Sequence, residues 1–367
     1  MSAEPMDSQA LKLEDWVRPE LRDLKPYASA RALHGDSSAV VALNANENPW
    51  PSDPAMPLNR YPDPQPQALV EALADHFDVD PASLLITRGS DEGIDLLMRL
   101  LIRPGTDSIM VQPPCFGMYA LYAQIQGAKV IEVPLVKGRG QWTTDWPATQ
   151  KADACRLYFF CTPNNPTGHE IPAVELLAFA KQVENHGLVV VDEAYAEFSE
   201  AASLIPMIAH QPNLVVLRTL SKAFGLAGAR LGCVMADPDV VDWLKRIIAP
   251  YPLPTPSVDA ALRALEADAL GEQRAQIERI LANKQSFVEK LPQWGFVKTI
   301  WPGQANFVLV EVDDADDLMA HCLQSGVVLR NQSHQPNLTN CIRITIGSND
   351  EMNRLVECFN QFQPTQA

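Results

Sequence analysis

Positive charge is scarce in this chain. Its 367 residues hold 29 lysines and arginines against 45 aspartates and glutamates, a formal net charge of −16. Such a chain repels nucleic acid and anionic membrane surfaces at long range. An anionic ligand must then be caught by a few placed arginines. Long apolar runs are missing too: no stretch of about 18 apolar residues occurs, so no transmembrane helix is expected. Met1 to Trp16 contains Glu4, Asp7, Glu14 and Asp15 and no basic segment leading into an apolar one, so it does not read as a signal peptide. Paired cysteine patterns are absent. The seven cysteines are scattered, odd in number and form no C-x-x-C, which argues against a disulfide framework and a zinc site. No metal is expected, and a reducing, cytoplasmic setting is the default reading.

The chain is 47% hydrophobic, enough for a large core, and its length suggests two domains. The first sixty residues read as irregular. Pro49, Pro51, Pro54, Pro57, Pro62, Pro64 and Pro66 exclude a central strand or helix there and predict an extended arm. From Gln67 onward, short apolar strands alternate with helical spacing. Strands are expected at Leu84–Ile86, Ser108–Gln112, Val130–Val133, Leu157–Cys161, Leu188–Val191, Leu214–Leu217 and Leu231–Met235. Helices are expected at Ala68–Phe77, Gly93–Ile102 and Ala173–Asn185. The pattern predicts an α/β fold with a mostly parallel sheet covered on both faces. The prolines at 250, 252, 254 and 256 suggest a domain boundary. Helices over Ser257–Leu291 and strands at Ala305–Glu311, Val327–Leu329 and Cys341–Ile346 then form a smaller α+β domain. The expected division is an arm over 1–58, partly packing with the small domain, a large domain over 59–250 and a small domain over 251–367.

Several segments could carry chemistry. Lys222 follows a buried strand, in Thr219-Leu220-Ser221-Lys222, and Arg230 lies eight residues beyond it. A lysine partly desolvated at a strand end can lose its proton near neutral pH and form a Schiff base. The hydroxyls of Thr219 and Ser221 can donate to an anion. Alternatively, the segment is solvated surface. Asp192-Glu193-Ala194-Tyr195 follows Leu188–Val191. A carboxylate at such a strand mouth can hold a protonated ring nitrogen, with Tyr195 near a ring phenolic oxygen; a helix-capping or metal-binding aspartate is the plainer reading. In Cys161-Thr162-Pro163-Asn164-Asn165-Pro166-Thr167-Gly168, Asn165 is held extended by Pro166 and can point its amide at a ligand, or the string is simply a turn. Arg88-Gly89-Ser90-Asp91-Glu92-Gly93 predicts a helix start capped by Ser90 or Asp91. Its free N–H groups could cradle a phosphate, although Asp91 and Glu92 oppose this unless they face away. Phe116 can stack on a flat ring or merely pack. Arg343, inside an apolar strand, needs an anionic partner, and Arg330 invites the same reading or a structural ion pair.

The order of these motifs resembles the fold-type I pyridoxal-phosphate aminotransferases, and within them the histidinol-phosphate aminotransferases. The strings that carry it include Leu43-Asn44-Ala45-Asn46-Glu47-Asn48-Pro49, Arg60-Tyr61-Pro62-Asp63, Arg218-Thr219-Leu220-Ser221-Lys222-Ala223-Phe224 and Cys341-Ile342-Arg343-Ile344-Thr345-Ile346-Gly347. The resemblance runs from about Leu24 to the last helix. It implies pyridoxal 5'-phosphate as cofactor, with Lys222 as the Schiff-base lysine and proton shuttle and Asp192 on the pyridine nitrogen. It places Asn165 and Tyr195 on the ring oxygen, Phe116 against the ring, and Ser90, Asp91, Ser221 and Arg230, beside Thr219, around the phosphate. Tyr61 is expected to reach the cofactor of a second subunit, making a homodimer with shared sites. Tyr27, Arg330 and Arg343 are expected to bind the substrate phosphate, Arg343 also the carboxylate of glutamate, and Asn46 and Glu47 to close over the substrate. The implied reaction joins histidinol phosphate and 2-oxoglutarate to give imidazole-acetol phosphate and glutamate. Phe116 departs from the tyrosine usual at its position, which keeps an aromatic-amino-acid aminotransferase open, with a threonine-phosphate decarboxylase as a further alternative. A ligand-sensing module fused to a DNA-binding segment would need a basic region that the chain lacks.

Overall fold

The computed structural model describes residues 13–25, 41, 43–152 and 154–363. Seven strands form the main sheet: β1 (Leu84–Thr87), β2 (Ser108–Val111), β3 (Lys129–Glu132), β4 (Leu157–Cys161), β5 (Leu188–Asp192), β6 (Leu214–Thr219) and β7 (Gly232–Met235). Their order is β1-β7-β6-β5-β4-β2-β3, and only β7 runs antiparallel to its neighbours. The central strands β4, β5 and β6 are buried along their whole length because helices cover both faces, whereas the edge strand β3 exposes Lys129 and Glu132. Alternation sorts their side chains between two cores. Tyr158, Phe160, Val189, Val191, Leu214 and Val216 point into one. Leu157, Phe159, Leu188, Val190, Val215 and Leu217 point into the other. Each fully buried side chain of this size contributes roughly 1.5–3 kcal/mol, so a one-residue register slip would exchange two complete packing sets.

Helices α1 (Gln67–Phe77), α2 (Ser90–Leu101), α3 (Met118–Gln126), α4 (Ala173–Gln182) and α5 (Pro238–Ile247) accompany this sheet. Helix α2 lies close against it at Gly93, where a Cβ would stand 2.6 Å from Val234 Cγ2. It begins three residues before the expected Gly93, and neither Ser90 nor Asp91 caps it. The N-cap residue is Gly89, at φ 76°, with no side-chain cap. Glycine adopts that angle without strain, so the turn into the helix needs no capping side chain.

A second, antiparallel sheet has the order β8-β9-β11-β10, from β8 (Val297–Trp301), β9 (Phe307–Val312), β10 (Arg330–Asn331) and β11 (Cys341–Thr345). Its core joins α7 (Ala267–Lys290), α8 (Ala315–Gln324) and α9 (Asn349–Gln361). A Ser348–Glu351 capping box starts α9. The strand expected at Val327–Leu329 is displaced to Arg330–Asn331. Val328 is exposed, and pairing with β11 reaches only Arg330 and Asn331. Helix α6 (Thr255–Ala264) places Val258 and Ala261, with Leu253 before it, in a core of the main sheet.

The first sixty residues are less irregular than expected. Short helices span Leu13–Trp16 and Pro19–Arg22, and Leu13 and Val17 are buried in the core beside α2. The i, i+4 spacing of these two residues puts both on one face. Residues 43–66 are an extended arm without helix or strand.

Candidate active site

The carboxyl ends of β4, β5 and β6 deliver three loops to one edge of the main sheet: Cys161–Asn165, Asp192–Tyr195 and Thr219–Lys222. This is where open α/β sheets gather ligands. Together with the start of α2 and β10–β11 of the smaller sheet, they enclose a cavity of about 690 Å³. That is room for a cofactor and a small substrate.

Lys222 opens into this cavity with its Nζ 5.8 Å from the centre of the Tyr195 ring. Burial, and then the Arg343 guanidinium, pull its ammonium below the usual lysine range. At the floor, Asp192 is nearly fully buried. Its Oδ2 accepts from the Tyr119 hydroxyl at 2.7 Å and its Oδ1 from the Ala194 N–H at 3.1 Å. Burial pushes its carboxyl up to about 6. A buried carboxylate with two neutral donors and, among the described residues, no paired cation is suited to a protonated ring nitrogen. Asn165 Nδ2 donates to Tyr195 Oη at 3.3 Å, and Arg343 donates to Asn165 Oδ1.

At the other end, the uncapped start of α2 faces Ser221 and Arg230. Thr219 Oγ1 donates to Ser221 Oγ at 2.9 Å and accepts the Ser221 N–H at 3.1 Å, so it holds that hydroxyl in place. Arg230 lies 3.3 Å from Asp91 and against Gly89, where a Cβ would come within 2.8 Å of its guanidinium. Glu92 turns away from the cavity and is tied to Arg88 at 2.6 Å, which removes one of the two charges that opposed an anion here. Uncapped N–H groups, two serines and an arginine form a cup for a phosphate. Phe116 lines the cavity between cup and floor. The enclosure fits a flat pyridine with a phosphate at one end and a ring nitrogen at the other.

Two arginines close the outer wall. Arg330 and Arg343 are directly opposed across the β10–β11 ladder. Like charges at such positions repel, and among the described residues no carboxylate pairs with either. Burial pulls Arg343 below the usual arginine range, and its Nε has no partner among the described residues. Such a pair is stabilised by an anionic ligand.

Sequence-expected residues therefore meet in one cavity: Ser90, Asp91, Phe116, Asn165, Asp192, Tyr195, Thr219, Ser221, Lys222, Arg230, Arg330 and Arg343. Asn46, Glu47 and Tyr61 do not. They line a separate hollow with Arg60 and Pro254–Pro256, where Tyr61 stacks on Tyr251 at 4.5 Å. Tyr27 lies outside the described residues. Sequence reasoning gave no role to Tyr119 or to the loop from Gln332 to Gln335. The Cys115 N–H donates to Gln335 Oε1 at 3.0 Å, and Gln335 Nε2 donates to Gln332 Oε1 at 2.9 Å. These side chains join the loop before Phe116 to the strand pair carrying the arginines.

A sequence model of the family Aminotransferase class I and II matches residues 32–359. The chain belongs to the class I and II aminotransferases. Among curated members of the family, a histidinol-phosphate aminotransferase of Xylella fastidiosa is 42% identical over 99% of this chain and 100% of its own length. One of Xanthomonas campestris is 45% identical over 95% and 97%. Of solved aminotransferase structures, the histidinol-phosphate aminotransferase of Sinorhizobium meliloti, in complex with pyridoxal-5'-phosphate, superposes with a TM-score of 0.73 at 27% identity, covering 82% of this chain and 83% of that one. That of Clostridium acetobutylicum superposes at 0.75 with 21% identity, covering 82% and 90%, which bears on the fold alone.

Proposed function

We propose that this chain is a pyridoxal-phosphate-dependent histidinol-phosphate aminotransferase. It transfers the amine of L-histidinol phosphate to 2-oxoglutarate, giving imidazole-acetol phosphate and L-glutamate. One observation carries the substrate class: Arg330 and Arg343 stand opposed at the wall of the cavity that holds Lys222. Both amino donors carry an anion near the reacting carbon, a phosphate on the adjacent methylene in histidinol phosphate and carboxylates in glutamate. A bidentate guanidinium accepts either.

Pyridoxal 5'-phosphate, when bound, supplies the electron sink that lets a proton leave the carbon bearing the amine. The roles of the side chains follow as inference. Lys222 Nζ takes that proton and returns it, aided by a pKa pulled toward neutrality. Asp192 holds the ring nitrogen in its protonated form. Asn165 and Tyr195 donate to the ring oxygen, and Phe116 supports the ring face. Ser90, Asp91, Thr219, Ser221 and Arg230 form the phosphate end. Arg343 binds the glutamate carboxylate and, with Arg330 and Tyr27, the substrate phosphate.

We infer a homodimer. Val41, Leu43 and Trp50 on the arm are 81%, 87% and 77% exposed, three large apolar side chains that a single protomer leaves in water. Asn46 and Glu47 sit on the same arm and Tyr61 just beyond it, and a second copy would receive them at its cavity. The functional division is an arm over 1–58, a large cofactor-binding domain over 59–250 and a small domain over 251–367, whose first helix docks on the large one. Among the described residues no helix is long and apolar enough to cross a membrane. All seven cysteines are free, which supports a cytoplasmic setting.

The test is a coupled assay of glutamate formation across amino donors. Histidinol phosphate should lead phenylalanine in kcat/KM. Carbon dioxide release from O-phosphothreonine would instead indicate a decarboxylase.

A further inference from the structure

Tyr119 has no part in the site as expected from sequence, yet it touches two of that site's residues. Helix α3 carries it one turn beyond Phe116. It is only 1% exposed. Its ring stacks on Phe159, centroids 4.8 Å apart, and its edge meets Phe116 at 5.6 Å with 82° between the planes. Its hydroxyl donates to Asp192 Oδ2 at 2.7 Å. The Ala194 N–H holds the other oxygen of the same carboxylate. Two donors from different directions fix the carboxylate plane.

We propose that Tyr119 is a positioning residue that sets the Asp192 carboxylate and the Phe116 ring in one frame, so that a pyridine is received in a single plane. The proposal rests on the reading of this cavity as a pyridoxal-phosphate site. The bottom of the cavity needs such a device. Asp192 ends a strand, and its side chain has no other donor among the described residues. Phe116 lies in a loop and is only half-buried. Tyr119 is in contact with both. Burial and the adjacent carboxylate keep its phenol well above the usual range, so it remains a donor throughout the working pH range. The groups facing Asp192 are Tyr119 from α3, Cys161 at the end of β4, the Ala194 N–H, and the more distant Asp91 and Lys222. Cys161 spends its own hydrogen on the Pro163 carbonyl at 3.4 Å.

Tyr119→Phe removes the hydroxyl and keeps the ring contacts. The apo-protein is titrated with pyridoxal 5'-phosphate from mild acid to neutral pH, followed by absorbance. Loss of a hydrogen bond to a charged group should raise the Kd about tenfold or more at neutral pH. Asp192 without its donor holds its proton longer, so the acid limb of binding should move to higher pH. In the Asp192→Asn background no carboxylate remains to orient, and adding Tyr119→Phe should change the Kd less than about twofold. This double variant also serves if the single one folds poorly. An unchanged Kd and acid limb in Tyr119→Phe, or equal losses in both backgrounds, overturns the proposal while wild-type binding leaves the cofactor reading intact. Wild-type protein that binds no pyridoxal phosphate overturns both.

Discussion

The floor of the cavity and the arm are built by opposite means. At the floor, Asp192, Asn165 and Tyr195 are all nearly buried, each hydrogen-bonded to a side chain from another strand or helix. On the arm, Val41, Leu43 and Trp50 face solvent, and the backbone from 43 to 66 makes no strand or helix. The floor is organised within one chain before any ligand arrives, which lowers the cost of orienting the reacting groups. The arm holds Asn46, Glu47 and Tyr61 near one another but away from Lys222. The floor is thus assembled within one protomer, while the arm residues lie apart from it.

Changes at the floor should cost most. Lys222→Ala should lower kcat about a thousandfold or more, since it removes the group proposed to move the proton. Single-turnover kinetics with the cofactor loaded measure this, and a modest loss contradicts the assignment. Asp192→Asn should have opposite effects on apo-protein stability and on turnover. Burial raises the Asp192 carboxyl from 3.8 to about 6, so between those pH values the folded state binds more protons than the unfolded chain. Stability therefore falls as pH rises through that window and is flat above it. Removing the charge should stabilise the apo-protein by about 3 kcal/mol at neutral pH, with the gain vanishing in acid. Thermal unfolding across pH reads the difference.

At the wall, Arg343→Lys should lower kcat/KM for glutamate by about thirtyfold, because a point charge replaces a fork proposed to bind both carboxylate oxygens. Equal rates would place glutamate elsewhere. The arm should respond to dilution instead. Trp50→Ser should weaken self-association with little change in the folding of the protomer, as sedimentation would show. Mixing Lys222→Ala protein with Tyr61→Ala protein should recover activity above the sum of the two. No recovery would mean that each protomer completes its own site. The smallest effect is expected for Gln335→Ala, a rise of about threefold in KM from loosening the loop before Phe116.

Much of this contrast was readable in the sequence. Wholly apolar runs such as Leu188–Val191 located the strands, and the polar residues at their ends located Asp192, Thr219 and Lys222, because burial on both faces leaves no other place for them. The proline density of the arm was equally plain. Long-range pairing was not. Tyr119 meets Asp192 across 73 positions and Cys115 meets Gln335 across 220, and nothing local signals either. The opposition of Arg330 and Arg343 depends on a register that residue types alone leave open. The start of α2 was misread because a serine and an aspartate look like caps, whereas Gly89 turns the chain and leaves the helix end to the cavity.

The substrate claim rests on the arginine wall, and it meets its most direct test in relative kcat/KM for histidinol phosphate and phenylalanine, measured with 2-oxoglutarate as acceptor in wild type and Arg330→Ala. The account predicts that histidinol phosphate leads in wild type by about a hundredfold, and that Arg330→Ala removes about tenfold of that lead by lowering the rate for the phosphorylated donor alone. Equal rates for the two donors in wild type, or an equal loss for both in the variant, would contradict it.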